Sequence, residues 1–142
     1  MRTIIIIGLF IAGLIGGCHS IDVGFLITEN ASYMPDTLVV RKTPDPAADA
    51  IRIKYNTPWQ TMPLQGYEGT EPVLFSIESV SSPLGEEAAR VFQSELAIIG
   101  AGKIYYPLTN NARPGRYIVS IRLTNEGYSR VVEDAFTFIV VE

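Results

Sequence analysis

Between Asn111 and Val141 the chain reads NARPGRYIVSIRLTNEGYSRVVEDAFTFIVV, and its apolar and polar residues alternate with a period of two. Tyr117, Val119, Ile121 and Leu123 fall on one side of a strand, with Ile118, Ser120, Arg122 and Thr124 on the other. That is the pattern of a sheet with one face buried and one solvated. Asn125-Glu126-Gly127 supplies a short turn with glycine where a positive φ is needed, and Ser129 to Val141 returns, rich in β-branched and aromatic residues. The stretch predicts a β-hairpin that places Phe136, Phe138 and Val140 on one face.

Upstream, Ser20 to Tyr33 reads as a tether, an edge strand or both, with an apolar patch from Val23 to Ile27. After Pro35-Asp36, Thr37 to Lys42 is apolar and β-branched enough for a first strand, which Thr43-Pro44-Asp45-Pro46 ends. Ile51, Ile53 and Tyr55 alternate with Arg52 and Lys54, predicting a second strand that buries the first set. Thr57 to Pro72 carries prolines 58, 63 and 72 and glycines 66 and 69, the composition of a long loop. Val73, Phe75 and Ile77 mark a third strand. Ser82-Pro83 before Glu86-Glu87 is a helix entrance, with proline early and acids at the positive end of the dipole. Ala88, Phe92 and Leu96 then recur at four-residue spacing, giving a helix of two or three turns. Leu96 to Ile99 and Lys103 to Tyr106 pair as a hairpin across Gly100-Ala101-Gly102.

The amino-terminal stretch has a different character. Arg2 is followed by an apolar run from Ile4 to Ile15 and then by Gly16-Gly17-Cys18, a secretory signal layout. The run is short of the roughly 20 residues that span a bilayer as a helix. Ile15-Gly16-Gly17-Cys18 resembles the bacterial lipoprotein box, in which two small residues precede an obligatory cysteine. That resemblance implies removal of residues 1–17, a diacylglyceryl group on Cys18 and a new amino terminus open to acylation. Two or more chains anchor stably, at about 0.8 kcal/mol per buried methylene. His19, not Asp, follows the cysteine, which favours the outer membrane.

Composition then narrows the chemistry. The net charge is −4 and the basic residues are scattered singly, so nucleic acid is not an expected partner. Cys18 is the single cysteine and His19 the single histidine, so the body has no Cys-His or Ser-His scheme, no zinc set and no internal disulfide. Glu133-Asp134 lie in a predicted strand, where neighbours face opposite sides and cannot flank one bond. Glu86-Glu87 serve the helix entrance, and no Asp-rich calcium loop appears. Neither catalytic residues, a metal nor a cofactor is expected.

What remains is aromatic. Trp59, Tyr67, Tyr105, Tyr106 and Tyr128 lie in or beside loops, where flat rings stack on sugars or anchor a protein interface. Trp59 and Tyr67 are the candidate ligand-binding residues, the competing reading of Trp59 being a cap on the core.

Gly115-Arg116-Tyr117-Ile118-Val119 resembles the corner of immunoglobulin-like sandwiches, where a tyrosine opens a late strand two residues before a cysteine; Val119 takes the cysteine's place. The expected fold is therefore all-β, an immunoglobulin-like antiparallel sandwich over residues 36–142 with one short helix. Residues 18–35 form its lipidated terminus and a tether or edge strand. Box and body together resemble small surface lipoproteins of Bacteroidetes, in particular the immunoglobulin-like or PKD-like modules of polysaccharide-utilisation systems. The resemblance implies a non-catalytic accessory or spacer module of a glycan-uptake system, held to the membrane through Cys18 and contacting a glycan or an outer-membrane protein. The alternative is a structural or adhesive surface lipoprotein.

Overall fold

The computed structural model describes residues 24–142. The expected signal segment and Cys18 lie outside them.

The hairpin of the carboxyl-terminal third is the centre of the larger sheet. Strands β8 (Gly115–Asn125) and β9 (Tyr128–Val141) pair antiparallel from Asn125↔Tyr128 back to Gly115↔Val140. Gly127 takes the positive φ (92°) that the two-residue turn demands. Tyr117, Val119, Ile121 and Leu123 are buried, as the alternation requires. The alternation breaks once. Val119 and Ile121 are two positions apart, but their partners Phe136 and Val132 are four positions apart, so β9 bulges. Ser120, expected on the solvated face, is buried there, and its Oγ accepts the backbone N–H of Asp134 at 2.9 Å. Asp134 takes a left-handed φ of 47°. Glu133 and Asp134 thus sit exposed on a bulge, outside the strand geometry the sequence implied.

Strand β5 (Leu74–Ser81) flanks β8 antiparallel, and β2 (Thr37–Arg41) flanks β9 in parallel, giving the order β2-β9-β8-β5. The second sheet, β3-β7-β6, is antiparallel and built from β3 (Trp59–Gln60), β6 (Ala97–Ile99) and β7 (Lys103–Tyr106). A third pair joins β1 (Leu26–Ile27) to β4 (Glu68–Gly69). The architecture is an all-β, sandwich-like fold with two short helices among the described residues. Its core runs between the sheets, with Phe136, Phe138 and Val140 from β9 facing Ile104 and Tyr106 from β7.

Helix α2 (Glu86–Glu95) closes one side. Its Phe92 stacks on Tyr117 of the large sheet and Tyr106 of the small one, both at 4.2 Å between centroids. One ring from the helix therefore joins both sheets. The Tyr117 hydroxyl donates to the carbonyl of Arg113 at 2.7 Å, which ties the strand entrance to the loop before it.

The segment expected as a second strand is instead helix α1 (Ala50–Tyr55), and Ile51, Ile53 and Tyr55 are exposed. A two-residue alternation over five positions is too short to exclude a helix, and the flanking residues decide it. Asp45 Oδ1 accepts the N–H groups of Ala47 and Ala48, opening a turn that alanines extend. Asn56 closes the helix in the left-handed conformation, its N–H reaching back to the carbonyls of Arg52 and Ile53.

The loop expected from Thr57 to Pro72 is not free either. Besides β3 and β4, it is fastened by paired backbone bonds between Ser32 and Gln65 (2.8 and 2.9 Å) and by Leu64 N–H to Ala101 O (3.0 Å). Gly66 is required where it stands: at φ 81° a Cβ would lie 2.0 Å from the Asn30 carbonyl oxygen.

Candidate functional site

Trp59 is 3% exposed, so its ring offers no face to a ligand. The binding reading of Trp59 is corrected by its surroundings. Pairing of Trp59 with Tyr106 turns the indole inward from β3, and α1 lies over it. The Arg52 guanidinium stacks 4.0 Å from the ring centroid, and that of Arg41 lies at 5.5 Å.

Both guanidinium groups converge on Asp49, which is 1% exposed. Its carboxylate accepts Arg41 Nε at 2.7 Å, Arg41 Nη2 at 2.5 Å and the Asp45 N–H at 2.8 Å, with Arg52 Nη1 at 3.6 Å. The Arg41 hydrogen bonds hold the Asp49 carboxyl down to about 2 against the cost of burial. A buried charge so fully paired fixes β2, α1 and β3 to one another. Sequence reading missed this cluster because its members come from a strand, a helix and a second strand. The local signal was the three-residue spacing of Asp49 and Arg52 beside the alanines.

The other aromatic candidates separate. Tyr67 is half-buried, edge-on to Phe75 at 5.3 Å between centroids. Tyr105 is half-buried on the outward side of β7, whereas Tyr106 is buried and its hydroxyl donates to Glu95 Oε1 at 3.1 Å. Burial drives the Tyr106 hydroxyl pKa upward, helped by the Glu95 charge. Trp59 and Tyr67 therefore do not form a paired platform.

The two ends of the large sheet differ in kind. At the β8–β9 turn, Phe25 is pinned to the segment before β5 and to the turn itself. Phe25 N–H donates to Thr70 Oγ1 (3.1 Å), Thr70 N–H to Phe25 O (3.0 Å) and Asn125 Nδ2 to Phe25 O (2.8 Å). At the other end of β9 an open cleft of about 450 Å³ lies between the β2–α1 connection and the loop following β7. Lys42, Thr43, Pro44, Ile53, Leu108, Thr109, Asn110 and Glu142 line it. No local motif announced it, since four separate segments supply its walls.

Among the described residues no group of three His, Cys, Asp or Glu side chains could hold a metal, and no helix is long and apolar enough to cross a membrane.

Neither a protein-family model nor a curated protein matches the chain. A solved structure is similar: a SusE-like surface located polysaccharide binding protein from the Bacteroides thetaiotaomicron heparin utilisation locus, at 18% identity and a TM-score of 0.51. The match covers 83% of this chain and 15% of that one, so the shared fold corresponds to a small part of the larger protein.

Proposed function

We propose that this protein is a lipid-anchored, non-catalytic accessory module of an outer-membrane glycan-uptake system, with an immunoglobulin-like sandwich presented at the cell surface. The observation that carries the proposal is polarity: Phe25, near the amino-terminal end of the described residues, is held at one end of the sheet and the cleft opens at the other. The 14 residues of β9 separate these ends, roughly 40 Å at the rise of a strand. A lipid on Cys18 would put the pinned end next to the membrane and hold the cleft away from it. The fold shared with part of a surface polysaccharide-binding protein supports the same reading. The Tyr117 hydroxyl bond to Arg113 is the geometry of a tyrosine corner, in support of the immunoglobulin-like assignment. Tyr67 remains a candidate contact ring on this reading.

Exposed Ile51 and Tyr55 on α1 favour one second reading, docking to a partner outer-membrane protein. Two measurements test the proposal. Intact mass from membrane fractions should show a lipid increment that Cys18→Ala abolishes along with membrane retention. Affinity electrophoresis should show the protein retarded by at least one polysaccharide of a broad panel. A membrane-bound Cys18→Ala protein would sink the anchor, and free migration through every polysaccharide would shift the weight to the partner-protein reading.

A further inference from the structure

We infer that the far-end cleft is a site for a neutral saccharide of one or two hexose units, an inference that rests on the accessory-module reading above. Its volume of about 450 Å³ suits a small ligand, since such sites run from roughly 300 to 1,000 Å³. Its chemistry is mixed in the way a sugar ring is mixed. Pro44, Leu108 and Ile53 supply apolar surface for C–H faces, and Ile53 is 45% exposed, a large apolar side chain left without cover. Around it stand the hydroxyls of Thr43 and Thr109, without protein partners among the described residues, and the carboxylate of Glu142. The Lys42 ammonium spends one hydrogen on the Ala112 carbonyl at 2.7 Å and keeps two. Donors and acceptors of both kinds therefore border an apolar floor. An anionic sugar would meet Glu142 beside Lys42 and gain little from the site.

The walls are preformed. Asn110 Nδ2 donates to the carbonyls of Pro107 and Leu108 (3.1 and 3.4 Å), and its Oδ1 accepts the Ala112 N–H at 3.3 Å. Glu95 accepts the Asn111 N–H with both oxygens, at 3.1 and 3.0 Å. On the opposite wall, the Asp49–Arg41–Arg52 cluster and the buried Trp59 fix α1, and with it Ile53. A ligand would meet walls already ordered, which lowers the cost of binding.

The test uses the full chain with isoleucine methyl labels in detergent micelles, titrated with maltose, cellobiose, mannobiose and, for comparison, a uronate disaccharide. At least one neutral disaccharide should shift the Ile53 methyl at millimolar concentration and leave that of Ile51 in place. Ile53→Asp and Thr109→Val should each weaken that binding at least tenfold without moving the melting midpoint. Shifts that avoid Ile53, or a stronger response to the uronate, would overturn the inference. If no sugar shifts Ile53 while polysaccharide still retards the protein in gels, the cleft assignment is wrong and the accessory reading stands. If both assays are silent, both readings fail.

Discussion

Trp59→Ala is the substitution that most directly tests how the small sheet and α1 are held. The indole is buried under the Arg52 guanidinium and belongs to the continuous core. Truncating a buried Trp to Ala costs about 3 to 5 kcal/mol. Loss of the stacked guanidinium adds roughly 0.5 to 2 kcal/mol, according to how far the pair is desolvated. The indole nitrogen has no hydrogen-bond partner among the described residues, so no bond is lost with it. A total of about 5 kcal/mol is a large part of the roughly 5 to 15 kcal/mol that holds a domain folded. With a urea slope of about 2 kcal/mol/M the midpoint should fall by about 2.5 M. Far-ultraviolet circular dichroism is the assay, because the variant loses the single tryptophan. The parent protein supplies an independent check, since its emission should be blue-shifted and resist soluble quenchers. A midpoint loss under about 0.5 M, or emission typical of a solvated indole, would refute the inward placement and return Trp59 to the candidate ligand contacts.

Phe92→Ala should cost about 3 to 5 kcal/mol in the same urea titration, because one ring joins Tyr106 to Tyr117; a loss near zero would mean that α2 is not docked. Tyr117→Phe removes only the bond to the Arg113 carbonyl and should cost about 1 kcal/mol, leaving the near-ultraviolet dichroism of the core unchanged. Gly66→Ala should destabilise by about 3 kcal/mol or more, since its methyl would meet the Asn30 carbonyl. Gly100→Ala, at φ 63° in open space, should cost only about 1 to 2 kcal/mol. The Asp49 carboxyl sits lower in the folded chain than in the unfolded one. Its contribution is complete above the ordinary carboxylate range and is lost as pH falls toward about 2. Urea midpoints of the parent and of Asp49→Asn should therefore differ at pH 6 and converge near pH 2; a constant gap would refute the pairing.

The hairpin of β8 and β9, the helix over Glu86–Glu95 and the β6–β7 hairpin were legible from the chain because each is a local pattern. Alternation names the buried face, a proline and two acids open the helix, and glycines take the positive φ of the turns. The all-β class follows from those elements alone. Three features were settled only by contacts between distant segments. Ile51, Ile53 and Tyr55 alternate like a strand, yet Asp45 and the alanines form a helix whose Arg52 finds Trp59. Trp59 looked like a loop residue until pairing with Tyr106 turned it inward. Ser120 kept the polar place in its alternation, but a bulge in β9 buried it. A candidate site is harder still to read, because the cleft draws Lys42, Ile53, Thr109 and Glu142 together from separate segments. Sequence periodicity reports which face of one element avoids water. It carries no information about which far-off element will cover that face, and that is decided when the sheets pack.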